Sequence, residues 1–384
     1  MLVGSDGAVL GQLPAISVAT PWWQDMEPLV AAVQSQYGVS VTILRLLSTE
    51  LDTPHGGEVT YLAETSARPT LDPWDGELDA HMLRQSYASP GGPAADLEWA
   101  RSVLAELGAA PVAALVQVRT WNLSSIWRIP TQHQVAWLKV VPPFFAHEGG
   151  LLVALDGAPV PRVLGHDGGR VLLAEVPGVD LHEASLPQLL EMISLLTELQ
   201  QNCVDRADEL LRLGVPDSRS PSLGAAIENL VGMRGDEFSS GQAEALRTFV
   251  RDLPARFAAI ADCGLPDTLV HGDFHPGNVR DGNGTTTILD WADSCIGHPL
   301  LDVPAFLERL PEAQVGQVQA HWYAELARRF PGSDPARAAA LLAPVGAARQ
   351  AVVYQRFLDN IEPVEQVYHR HEPYKWLLAA LALL

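Results

Sequence analysis

The run Leu269-Val270-His271-Gly272-Asp273-Phe274-His275-Pro276-Gly277-Asn278-Val279, followed by Thr287-Ile288-Leu289-Asp290-Trp291, constrains this chain more than any other feature. Leu269-Val270 and Thr286 to Leu289 read as short strands. Two acids and an amide, Asp273, Asn278 and Asp290, are thereby presented near strand ends, with Asp273 five positions before Asn278. Taken singly, Asp273 or Asn278 is an ordinary turn residue. The combination at this spacing is far more specific.

Phosphoryl transfer needs such a set. One carboxylate orients the attacking hydroxyl and accepts its proton; an Asn oxygen and a second carboxylate hold Mg²⁺, which takes hard oxygen ligands and bridges the phosphates. The step from acid to amide matches the Asp, four residues, Asn of the kinase catalytic loop. The segment resembles the aminoglycoside phosphotransferase family of kinase-like enzymes. That family's signature reads His-Gly-Asp-x-His-x-x-Asn and then Ile-Asp-Trp or Ile-Asp-Phe; here Leu289 replaces the Ile. The resemblance implies that Asp273 is the catalytic base and that Asn278 and Asp290 are Mg²⁺ ligands. Gly297-His298-Pro299-Leu300-Leu301-Asp302 is similar to the family's continuation, which implies that Asp302 supports the catalytic loop. The likeness spans residues 93 to 384 or so.

The middle of the chain agrees. Lys139 sits in the apolar run Gln134-Val-Ala-Trp-Leu-Lys-Val-Val. A lone Lys there is ordinarily a sheet residue whose ammonium reaches solvent. Kinase-like enzymes instead place a strand Lys on the α/β-phosphates and pair it with a helix Glu. Glu148 opens the next helical stretch and is the candidate partner; otherwise it is a first-turn acid favoured by the helix dipole. By resemblance, Leu172 to Leu181 is an inter-lobe hinge whose backbone at Glu175 and Val176 contacts adenine. The turn Thr120-Trp-Asn122-Leu-Ser124-Ser125 lacks the glycines of a protein-kinase phosphate loop. Ser124 and Ser125 are expected either to contact phosphate or to close an ordinary hairpin. No GxxxxGK[ST] supports a P-loop enzyme.

These readings predict an α+β chain with a bilobal protein-kinase-like fold and an additional small N-terminal α+β domain. The divisions are 1–92, 93–176 for the N-lobe and 177–384 for a helical C-lobe with the catalytic loop and acceptor site. In the first, a helix from about Met26 to Tyr37 ends at Gly38, and Ser40 to Leu47 and Glu58 to Leu62 are strand-like. Ser89-Pro-Gly-Gly-Pro93 reads as a linker, followed by a helix over Ala94 to Leu107. In the second, an antiparallel sheet takes Val112 to Arg119, Ile126 to Ile129, Gln134 to Val141 and Val171 to Ala174, with a helix around Phe145 to Leu155. In the third, Leu186 to Gln200 and Ala243 to Ala261 are helical by periodicity. A cleft between sheet and helical domains is the expected ligand site. Residues 1–92 also faintly resemble a Nudix hydrolase domain, but the places of its metal-binding acids read Ala31-Ala32 and Ser35-Gln36. The resemblance implies a catalytically inactive relative; the alternative is an unrelated α+β cap.

Charge bounds the partners. With 25 Lys+Arg against 46 Asp+Glu the formal net charge is −21, which disfavours nucleic acid and anionic membranes. ATP remains compatible, because a few local cations and a metal ion hold a triphosphate. Three scattered cysteines, no basic signal-like start and no apolar run near the roughly 20 residues of a membrane span point to the cytoplasm. The acceptor is expected to be a hydroxyl on a small molecule such as an aminoglycoside or other antibiotic, a sugar or an amino alcohol. Only eleven residues separate Asp290 from Asp302, which leaves little room for the activation segment that docks a polypeptide. Asp359, Glu362, Glu365, Tyr368, His369 and His371 either line an acceptor site or form a polar helix face. The competing class is a catalytically weak kinase-like nucleotide-binding protein. The sequence does not set the acceptor, ATP over GTP, or the oligomeric state.

Overall fold

Alternation along the strand Val135–Val140 organises the first half of the chain. Ala136, Leu138 and Val140 are buried, whereas Trp137 and Lys139 occupy the other face, as a two-residue side-chain period dictates. A computed structural model, which describes residues 1–20, 22–282 and 284–384, places this strand at the centre of a five-stranded antiparallel sheet. The order is Val116–Trp121, Ser124–Pro130, Val135–Val140, Arg170–Ala174 and Val163–Asp167. The helix Gly92–Glu106 covers the apolar face, with Ala100 and Leu104 against Trp127, Ile129, Leu138 and Leu172. Arg170 Nε donates to the buried Asp96 carboxylate at 2.7 Å and pins that helix to the sheet.

The chain divides into two units. The first comprises Met1–Gly149, Val163–Glu175 and Phe357–Arg370; the second comprises Gly150–Arg162, Val176–Arg356 and His371–Leu384. The N-terminal residues thus share a unit with the five-stranded sheet. They form a four-stranded sheet in the order Val9–Gly11, Leu2–Val3, Val59–Glu64, Thr42–Thr49, packed against the helix Glu27–Tyr37. That helix ends at Gly38 in the left-handed region, as expected from sequence. The Gln117 side chain accepts from Ile43 N–H at 2.9 Å and donates to Ile43 O at 2.7 Å, and Met26 N–H bonds Val118 O at 3.0 Å. The expected linker around Ser89 is instead tightly built: Tyr87 and Ala88 are buried in the core, and Gly91 N–H bonds the Glu64 carboxylate.

The second unit is mainly helical. Ser185 and Gln188, and again Ser239 and Gln242, form capping boxes that start the helices Leu186–Cys203 and Ser240–Ala261. Leu189, Met192, Ile193 and Leu196 are buried on the first of these, and Val318, Trp322 and Leu326 on the helix Glu312–Arg329. Arg329 ties the two by donating to Thr197 Oγ1 at 3.2 Å and Ser194 O at 3.1 Å. Two small antiparallel sheets carry the conspicuous sequence run: Thr268–Val270 with Cys295–Gly297, and Val179–Asp180, Val279–Gly282 and Thr285–Ile288. Among the described residues no helix is long and apolar enough to cross a membrane.

Candidate active site

The loop after Thr268–Val270 is held by a buried carboxylate. Asp302 accepts from His271 N–H at 3.0 Å, Gly272 N–H at 2.8 Å and Gln200 Nε2 at 3.0 Å. Burial pushes its carboxyl above the usual range, and the His271 and Gly272 N–H groups oppose that push by favouring the charged form. Gly272 lies at φ +90°, where an added Cβ would sit 2.1 Å from Asp293 O, so only glycine fits this turn. The fully buried His271 donates through Nε2 to Leu289 O at 2.8 Å and accepts Asp273 N–H at Nδ1, 3.3 Å away. One ring therefore fixes both the loop and the strand leading to Asp290. Phe274 anchors the loop beneath, stacked on Phe306 with centroids 5.2 Å apart and edge-on to Trp322.

Above that anchor Asp273 and Asn278 are joined by hydrogen bonds. Asp273 keeps 46% of its side chain exposed. Asn278 Nδ2 donates to Asp273 O at 3.0 Å and lies 3.4 Å from its Oδ2, which leaves the amide oxygen as the acceptor the loop presents. His275 accepts Gly277 N–H at Nδ1, 3.0 Å away, so its Nε2 carries the proton and stands 3.6 Å from Asp273 Oδ2. Leu289 N–H bonds Asn278 O at 2.7 Å, setting Asp290 next to the loop. Asp290 is the one non-glycine with positive φ, +59°, among the described residues. Such a conformation is uncommon outside glycine and concentrates at functional sites. Asn278 and Asp290 are hard oxygen donors of the kind Mg²⁺ prefers, and Mg²⁺ needs only one or two protein ligands beside substrate phosphates. The residues fit that ion.

In the first unit, Lys139 Nζ lies 2.9 Å from Glu148 Oε1, with 12% and 2% of the respective side chains exposed. Glu148 sits in the first turn of the helix His147–Ala154, so the expected pair is formed. Trp137, on the same strand face as Lys139, donates through Nε1 to the Glu175 carboxylate, and Glu175 N–H bonds Val135 O at 3.0 Å. The division between units falls between Glu175 and Val176.

Ser124 and Ser125 do not offer the hydroxyls expected of phosphate contacts. Both are buried; Ser124 Oγ accepts from Trp121 Nε1 at 3.0 Å, and Ser125 Oγ bonds Thr120 Oγ1 at 3.1 Å and Trp127 Nε1 at 3.2 Å. Packing within the sheet accounts for them. The C-terminal acids and histidines do not share one environment: Asp359 and His371 are exposed. Glu362, Glu365 and His369 are buried in the first unit. Arg84 grips Glu362 at 2.9 and 2.7 Å, and Leu46 N–H donates to Glu365 at 3.2 Å. Sequence reasoning missed Gln200, because its bond to Asp302 joins residues 102 positions apart and no local pattern marks it.

A strand lysine paired with a helix glutamate, and a His-Gly-Asp loop with its Asn and following Asp, define a kinase-like phosphotransferase. The profile of the phosphotransferase enzyme family matches residues 113–341, and the chain belongs to that family. Solved structures share the fold. Choline kinase LicA from Streptococcus pneumoniae is 14% identical, with 75% of this chain and 99% of that chain covered at a TM-score of 0.53. For a macrolide 2'-phosphotransferase type I the values are 17%, 76%, 97% and 0.51. For the gentamicin complex of APH(2")-IIa they are 14%, 74%, 95% and 0.52. No curated protein sequence matches the chain.

Proposed function

We propose that this phosphotransferase uses ATP and Mg²⁺ and phosphorylates a hydroxyl of a small molecule. The observation that carries the reading is the loop itself: Asn278 holds the Asp273 backbone and carboxylate with its amide nitrogen, so base and amide oxygen form one preorganised set. Asp273 orients the acceptor hydroxyl and takes its proton as the oxygen bonds to the γ-phosphorus. The bond from that phosphorus to the β-phosphate oxygen breaks, and ADP leaves. Asn278 and Asp290 would hold the metal ion, which would neutralise charge on the phosphate oxygens. Lys139, kept in place by Glu148, meets the α/β-phosphates. The Glu175 carbonyl and Val176 N–H take the adenine edge.

The short stretch between Asp290 and Asp302 favours a small acceptor over a peptide. Of the related folds named above, one is a choline kinase, one a macrolide 2'-phosphotransferase and one is complexed with gentamicin, which makes amino alcohols and antibiotics the first acceptors to try. We place the reaction in the cytoplasm. The test is ADP release from MgATP over a library of hydroxylated metabolites and antibiotics, with mass spectrometry of the product. A phosphomonoester on one acceptor class bears the reading out. ATP binding with no turnover on any acceptor would leave a nucleotide-binding protein instead.

A further inference from the structure

The N-terminal sheet, its helix and the loops beside them line a half-open cavity of about 610 Å³, within the range of small-molecule sites. Its floor is apolar, with Val33, Val41 and Ile43 from the hydrophobic core. Trp22, Trp23 and Tyr61 add aromatic surface, and Trp22 remains 47% exposed. Three of the wall's donors are committed to nearby carbonyls: Trp23 Nε1 to Gly56 O at 2.7 Å, Tyr61 OH to Trp23 O at 2.6 Å and Tyr37 OH to Pro14 O at 3.2 Å. Glu58 and Asp72 line the same cavity, and among the described residues neither carboxylate has a hydrogen-bond or ion-pair partner. Asp25 adds a third acid, already 3.5 Å from Arg119.

Among the described residues no lysine or arginine lines the space. A phosphate-bearing ligand would therefore meet carboxylates with no cationic side chain to offset its charge. An organic ammonium with an apolar or aromatic body meets the opposite: a floor that removes its carbon surface from water, ring faces that attract a cation and two acids at the mouth. We propose that this cavity is a binding site for such a cationic amphiphile, separate from the phosphotransferase machinery. The residues that faintly resemble a Nudix domain thereby serve an amine instead of a nucleoside diphosphate.

A matched set of probes tests the charge rule on the full-length protein: 4-phenylbutylamine, 4-phenylbutan-1-ol and 4-phenylbutyrate, titrated by ligand-observed NMR up to about 10 mM, the weak range suited to such small probes. The amine should bind tightest and the carboxylate weakest. Glu58→Gln with Asp72→Asn should weaken the amine about three- to tenfold, the scale of two exposed ion pairs, and leave the alcohol unchanged. Thr60→Trp, which fills the cavity from the strand Val59–Glu64, should abolish amine binding. If that variant does not fold, the rim double variant decides the question. Equal affinity for amine and carboxylate, amine binding indifferent to the rim variant, or no amine binding at all overturns the proposal.

Discussion

Replacing Glu365 by Gln should stabilise this protein at alkaline pH and do little at acid pH. Burial is the main cause raising the Glu365 carboxyl from its ordinary value to about 7, with the charge of Glu362 adding to the push; the Leu46 N–H bond opposes it. The folded state therefore holds a proton that the unfolded chain releases near pH 4.5, the ordinary glutamate value. With a folded value above the unfolded one, the contribution to stability is fully present below about pH 4.5 and is lost as pH rises to about 7. At roughly 1.4 kcal/mol per unit, the loss is on the order of 3 kcal/mol. Glutamine keeps an oxygen for Leu46 N–H and carries no charge to desolvate. Thermal unfolding followed by circular dichroism should show Glu365→Gln raising Tm at pH 8 by about 4 °C, with most of the gain gone at pH 5. Glu362→Gln, which weakens the ion pair with Arg84, should lower Tm at both pH values and serves as the control. A Glu365→Gln shift that is equal at pH 5 and pH 8, or a lower Tm at pH 8, would refute the reasoning.

Three further changes probe the site. Lys139→Ala should cut turnover by about 10²–10³, the scale for one preorganised charge; steady-state kinetics within a few-fold of wild type would make Lys139 a plain sheet residue. Asp290→Ala should weaken nucleotide binding with Mg²⁺ more than without it, because it removes an anionic oxygen ligand; equal losses in calorimetric titrations under both conditions would contradict a metal role. Gly272→Ala places a Cβ against Asp293 O at positive φ and should cost about 1–3 kcal/mol or more in loop strain, seen as lost activity with nucleotide affinity largely retained.

The parts of the site that were legible in sequence are those whose partners lie close along the chain. Asp273 and Asn278 are five residues apart and Lys139 and Glu148 nine, so spacing on a strand, turn or helix places them. The left-handed conformation of Asp290 leaves no such trace, because Asp is common in ordinary turns as well. The Gln200–Asp302 bond and the contact of Glu365 with Leu46, 319 residues apart, exist only after the chain has folded. Ser124 and Ser125 escape for another reason, since their partners lie only two to five residues away. Their inward direction depends on the indoles of Trp121 and Trp127 needing acceptors, and a hairpin sequence alone does not reveal that demand. The expected linker near Ser89 failed for a related reason: Pro and Gly punctuate a packed turn as readily as a loose one.

The most direct test of the central claim is transfer of γ-labelled phosphate from MgATP to the acceptor found by the library screen, measured for wild type and Asp273→Asn beside their nucleotide affinities. Asparagine keeps the size and removes the base. The account predicts that Asp273→Asn binds MgATP within a few-fold of wild type and transfers almost no label. Transfer by Asp273→Asn at a rate comparable to wild type would contradict it.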